Sequence, residues 1–279
     1  MKSRNKLVLL TVLIGLVAGG SVWVWQAGRP ASATEVKVTE PTASELQAFS
    51  GTKIFFGHMS VGSNIISGIG PTFAAAGQAT PLIAETRDSV SGNGGFLAHA
   101  QMGVNGDPFG KFDDFVKAMD GPLGDQVDVA LLKLCYTDVV AATDVEAVFA
   151  GYATMMAELE KNYPGVRFLY TTVPLSTDRG WKSTIKSWLG QDDQMGPEDN
   201  VARQRYNQLV RERYGSTNRL FDIANVEATN AQAPMRRTAG DRVYYVLNGA
   251  LAADPGHLNE LGARLAAAEL IRVVAGARR

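Results

Sequence analysis

The sequence predicts an α/β fold: one doubly wound parallel sheet with helices on both faces, in three layers. Three observations carry this expectation. Short apolar runs rich in β-branched residues recur along the chain, and segments with apolar residues spaced by three and four lie between and after them. The connections are also long enough for parallel crossovers, which are right-handed in nearly all cases. With 46% hydrophobic and 20% charged residues among 279, the chain can bury a sizeable core, which excludes disorder and a collagen-like repeat. Lys plus Arg is 27 against 28 for Asp plus Glu, so no global field attracts nucleic acid, and no nucleic-acid partner is expected.

The elements follow in order. Residues 1–33 open with the basic Met1-Lys2-Ser3-Arg4-Asn5-Lys6 and continue into an uncharged apolar run at 7–25, the pattern of an export signal or a membrane anchor. Small residues Ala31-Ser32-Ala33 fit cleavage, and both outcomes stay open, as does membrane association through this segment. Residues 34–49 are polar and mixed, and are expected to be a linker. Residues 50–279 then form the folded domain, placed in the periplasm or outside the cell. Buried strands are expected at 53–57, 81–85, 127–134, 166–172 and 220–223, and helices at 109–119, 145–163, 201–214 and 258–274. The stretch 177–199, with Trp181 and Trp188 among glycines and a proline, has little periodicity and is expected to be an elaborated surface loop. In such folds ligands bind outside the carboxyl ends of the strands, so chemistry is sought just after each one.

After the first strand comes Phe55-Phe56-Gly57-His58-Met59-Ser60-Val61-Gly62. A serine between a strand and a helix N-terminus has its hydroxyl at the sheet edge among backbone N–H groups, as an acyl-transfer nucleophile requires; the same position suits a helix N-cap. Near the other end stands Asp254-Pro255-Gly256-His257. A Pro-Gly turn folds the Asp254 carboxylate toward the imidazole of His257, fixing its tautomer and leaving Nε2 as a base.

Together the two segments resemble the SGNH, or GDSL-like, hydrolases over about residues 53–271. The resemblance implies a flavodoxin-like three-layer α/β sheet, a catalytic triad of Ser60, Asp254 and His257, and an oxyanion hole with the Gly103 amide and Thr137 in the place of the family's Asn; Asn105, on the neighbouring loop, is the alternative donor to Thr137. Two departures mark this chain as a divergent member. Gly57-His58-Met59-Ser60 is one residue longer than the family's Gly-Asp-Ser, and Cys135-Tyr136-Thr137-Asp138 places Thr137 where the family has an oxyanion Asn. The implied activity is an exported serine esterase acting on acyl esters, O-acetyl groups of cell-envelope or secreted carbohydrate above all, with no cofactor and no metal. An O-acyltransferase with the same triad and a noncatalytic glycan-binding or assembly protein are the rivals.

The remaining candidates are weighed singly. His58 is either a substrate-orienting group or a packed loop histidine, Trp181 supplies sugar-stacking surface, and His99 is expected to be structural. A zinc site of His58, His257 and Asp254 has suitable chemistry but lacks the short helical pairing of common zinc sites. Cys135, the single cysteine, is expected to be buried rather than nucleophilic. Lys133 is unusual in a buried strand, and the arginines at 203, 205, 211 and 213 are expected to form a solvated helix face. Asp222 either supports the site or caps a turn.

Overall fold

In a computed structural model of the chain, residues 36–180 and 193–277 are described, within a compact unit spanning Glu35–Arg279. Helix α1 (Ala43–Ser50) precedes β1 (Lys53–His58), which runs directly into α2 (Ser60–Ala75). Strands β2 (Leu82–Glu85) and β3 (Phe96–Gln101) follow, then α3 (Pro108–Met119), β4 (Val129–Leu132), a 3₁₀ turn at Tyr136–Asp138, α4 (Val145–Asn162) and β5 (Arg167–Thr171). Next come α5 (Pro197–Tyr214), β6 (Leu220–Phe221) and α6 (Ile223–Glu227), a hairpin of β7 (Arg236–Ala239) and β8 (Arg242–Tyr245), the ribbon β9 (Ala252–Asp254) and β10 (His257–Leu258), and α7 (Glu260–Ala277).

The main sheet has the order β2-β3-β1-β4-β5-β6 and every pairing in it is parallel. It is the expected doubly wound α/β fold. Alternation along the central strand divides the core into two layers. Ile54 and Phe56 join Leu46 and Phe49 of α1, Val61 and Ile65 of α2 and Leu270 and Ile271 of α7 on one face. Phe55 instead joins Phe112 and Phe115 of α3, Val148 and Tyr152 of α4 and Tyr206 of α5 on the other. Because β1 is central, with β3 on one side and β4 on the other, its carboxyl end is the switch point where a site belongs.

Two expectations are corrected. The linker expected at 34–49 carries α1, opened by a Thr42–Glu45 capping box and packed through Leu46 and Phe49, which are fully buried. The two apolar residues three apart form a stripe just wide enough to dock a two-turn helix. One strand of the main sheet, β3, went unforeseen, as did the short strands β7 to β10 outside it. The β3 sequence Phe96-Leu97-Ala98-His99-Ala100-Gln101 is diluted by alanines and a histidine, which have weak strand preference, so tertiary pairing between β2 and β1 decides it. Among the described residues no helix is long and apolar enough to cross a membrane; the export segment expected at 1–33 lies outside them.

Candidate active site

Ser60 is the first residue of α2, and the N-cap is Met59, in extended conformation with no side-chain cap. Ser60 is therefore not spending its hydroxyl as a cap. Its Oγ lies 2.9 Å from His257 Nε2. As a first-turn residue, Ser60 has no helical carbonyl to accept its own N–H, which stays a donor at the positive end of a 16-residue helix.

His257 stands in β10, paired antiparallel to Asp254 of β9 with a register shift just after it. Both Asp254 carboxylate oxygens lie 2.9 Å from His257 Nδ1, and Asp254 Oδ1 also accepts from the Gly256 amide at 2.9 Å. A carboxylate only accepts, so Nδ1 carries the hydrogen and Nε2 presents a lone pair to Ser60. Burial works to raise the Asp254 carboxyl, but the Gly256 amide and His257 together outweigh it and hold the group below the usual carboxylate range. The ribbon is fastened on both sides: the Leu258 amide donates to Asn64 Oδ1 of α2, and Asn259 caps α7 by accepting from the Gly262 amide.

The turn after β4 closes the site from the side. The Tyr136 ring meets the His257 ring edge-on, centroids 6.1 Å apart, and covers Gly256 so closely that a Cβ there would stand 2.5 Å from the ring. Glycine is what lets the aromatic ring lie on the Asp-Pro-Gly-His turn. Thr137 Oγ1 is buried and makes no hydrogen bond among the described residues. Asn105 is exposed and its Oδ1 accepts from Lys111 Nζ at 3.0 Å.

Gly103 requires a correction. It has φ +54, a left-handed conformation suited to glycine, but its N–H donates to Asp114 Oδ2 at 2.8 Å. Asp114 is itself held by Arg87 through both carboxylate oxygens. The Gly103 amide is thus committed to an ion pair and does not face an oxyanion. Of the two readings open for His58, the packed histidine is the one that its surroundings fit. It ends β1, is 1% exposed, and uses Nδ1 on the Met59 carbonyl at 2.7 Å and Nε2 on His99 Nδ1 at 3.0 Å. Burial pulls His58 down to about 4 and lowers His99 as well. Among the described residues no group of three His, Cys, Asp or Glu side chains could hold a metal ion.

Cys135 is buried and free. Lys133 is fully buried, donates to the Leu134 carbonyl, and is pulled down by that burial, with Cys135 and Glu227 opposing. Asp222 caps α6 and holds Arg211 at 2.7 Å. Trp181 and Trp188 lie outside the described residues.

The support of the site escaped the sequence reading. Lys111 and Asp138 form an ion pair at 2.6 Å with both side chains fully buried, and Asp138 also accepts from the amides of Gly106 and Cys135. Arg203, expected on a solvated face, is fully buried. Its guanidinium donates to the carbonyls of Tyr136, Val139 and Gln194, to Ser176 Oγ and to Asn200 Oδ1, while burial pulls it down to about 10. Asp138 carried a faint signal, since it closes the block Cys135-Tyr136-Thr137-Asp138; nothing local marks Lys111 or Arg203.

No family model matches the chain, and no curated protein matches it. Similar solved structures include a member of the lipolytic protein G-D-S-L family from Veillonella parvula, 14% identical over 77% of this chain and 93% of that one, with a TM-score of 0.44. The lipopolysaccharide acetyltransferase periplasmic domain of Salmonella ser. Paratyphi A is 12% identical over 79% and 83%, TM-score 0.42. The C-terminal catalytic domain of Streptococcus pneumoniae peptidoglycan O-acetyltransferase A is 13% identical over 82% and 96%, TM-score 0.41.

Proposed function

We propose that the chain is an exported serine esterase of the SGNH type, removing acyl groups, O-acetyl groups in particular, from cell-envelope or secreted carbohydrate. The observation that carries this is the continuous hydrogen-bonded chain from Ser60 Oγ through His257 to Asp254. Ser60 Oγ attacks the ester carbonyl carbon while His257 Nε2 takes its proton. Asp254 holds the imidazolium that forms. The carbonyl π electrons move onto oxygen, and the Ser60 N–H, the Thr137 hydroxyl and the Asn105 amide are the donors that receive it. On collapse the carbon–oxygen bond to the alcohol breaks, and His257 returns the proton to the leaving oxygen. The acyl group is then on Ser60. Water, activated by His257, releases the acid; a sugar hydroxyl in its place would make the reaction a transfer.

The test is labelling of the purified protein with a serine-directed fluorophosphonate, followed by turnover of p-nitrophenyl acetate. The expected outcome is one adduct, at Ser60, and turnover that Ser60→Ala abolishes. Wild-type protein that forms no adduct and hydrolyses no acyl ester would leave a binding protein on this fold instead.

A further inference from the structure

An oxyanion donor contributes to catalysis only where it is already aimed, and an exposed asparagine on a loop is ordinarily free to turn. Asn105 is not. Its Oδ1 takes a hydrogen bond from Lys111 Nζ at 3.0 Å, and an ammonium has three donors and no acceptor. The atom facing Lys111 must therefore be the amide oxygen, which directs the NH₂ away from it. A hydroxyl or amide partner would tolerate either orientation; a lysine tolerates one.

Lys111 is equally fixed. It is fully buried in α3, with its remaining donors on Asp138 Oδ1 and Oδ2 at 2.7 and 2.6 Å. The same carboxylate takes the Gly106 amide, next to Asn105, at 2.8 Å and the Cys135 amide at 2.6 Å. One buried ion pair thereby joins the loop that carries Asn105 to the turn that carries Thr137. The loop is also tied to the nucleophile, because the Met102 amide donates to the carbonyl of His58, two residues before Ser60. The Gly103 amide, by contrast, is committed to Asp114, so the donor this loop has left beside it is the Asn105 side chain.

The geometry points to Lys111 as a positioning residue that fixes the Asn105 amide as an oxyanion donor. This rests on the esterase function proposed above. Asn105→Asp keeps an acceptor for Lys111 but loses the donor, Asn105→Gln keeps the donor but moves it off its anchor, and Lys111→Gln removes the anchor. Steady-state hydrolysis of p-nitrophenyl acetate by the three variants is the experiment. Each is expected to lower kcat by about 10²- to 10³-fold, with KM within about threefold of wild type. Combining Lys111→Gln with Asn105→Asp should add little to either alone, because both act through one donor.

A purely structural lysine would instead give effects that multiply. If Lys111→Gln does not fold, Asn105→Gln decides, since that position is exposed: wild-type kcat in Asn105→Gln overturns the anchoring role, and wild-type kcat in Asn105→Asp overturns the donor. Failure of wild-type turnover and of Ser60 labelling is a different result, and sinks the esterase proposal itself.

Discussion

The two polar constellations at the carboxyl end of the sheet differ in how they are made. The Ser60, His257 and Asp254 side chains lie at the surface, with His257 30% and Asp254 54% exposed, and two of the three come from one four-residue turn. The side chains of the network beneath them, Lys111 with Asp138 and Arg203, are buried and join residues 27 and 67 positions apart. Reacting groups need access to substrate and to protons, whereas the groups that hold them gain from a low dielectric, which strengthens their hydrogen bonds and penalises any that are lost. Substitutions in the first set should therefore appear in rate alone, and in the second in stability as well as in the rate of the groups they hold.

Asp254→Asn is the sharpest test on the exposed side. Its amide favours the wrong imidazole tautomer, and in Ser-His-Asp proteases the corresponding change lowers kcat by about 10⁴-fold. We expect an effect approaching that scale on acetyl ester turnover, with the thermal midpoint unchanged within a degree or two. A large fall in stability would show that the Asp254 turn is part of the scaffold and break the contrast.

On the buried side, Arg203→Met removes five hydrogen bonds and leaves three carbonyls without their donor. Breaking a buried charged network of this kind typically destabilises by about 3–5 kcal/mol. Urea denaturation is the measurement. Turnover per folded molecule should fall too, because Arg203 holds the Tyr136 carbonyl and Tyr136 packs on His257. A stability change under 1 kcal/mol would mean that water enters and replaces the bonds.

The same division explains what could be read in the chain alone. The fold class is legible because apolar period and crossover length are local quantities, and the hydrogen-bonded set of Ser60, His257 and Asp254 is legible because Asp254-Pro255-Gly256-His257 is contiguous and Ser60 lies just past the end of a strong strand. Strand β3 was hidden by weak local preference that pairing overrides, whereas helix α1 carried a local signal, the Thr42–Glu45 capping box, on a segment too short for an apolar period to stand out. Lys111 and Arg203 were hidden for another reason: a charged side chain on a helical pattern looks solvated until its distant partner is known. Gly103 failed as an oxyanion amide because Asp114, eleven residues away, takes its N–H.

His58 gives a pH test of intermediate size. Burial holds it at about 4 against an ordinary 6.5, so between these values the unfolded chain binds a proton that the folded one refuses. The stability that His58 contributes is complete above about pH 6.5 and is lost as pH falls toward 4, about 3 kcal/mol in all. Glu227 has the opposite sign: burial raises it from 4.5 to about 8, and its contribution is lost as pH rises through that window. The expected signature is therefore in the difference between proteins. Urea denaturation at pH 7 and pH 4.5 should show wild type losing more stability on acidification than His58→Gln. Equal losses would mean that His58 is protonated within the fold.

Arg205 supplies the smallest effect and the closest control, since it is two residues from Arg203 on the same helix. Two positions advance about 200° around an α-helix, which puts one guanidinium in the core and the other in water. Arg205 pairs with Glu146 at 2.9 Å, with the two side chains 45% and 64% exposed. In that setting solvent screens the attraction and the long side chains lose rotamer freedom, so such a pair is worth about 0.2–1 kcal/mol. Arg205→Ala should accordingly change unfolding free energy by less than 1 kcal/mol, leave turnover at the wild-type level, and matter still less in high salt. Measured beside Arg203→Met, it holds residue type, helix and sequence neighbourhood nearly constant while burial alone changes. Comparable losses for the two arginines would show that the helix as a whole, rather than the buried guanidinium, supports the turn beneath His257.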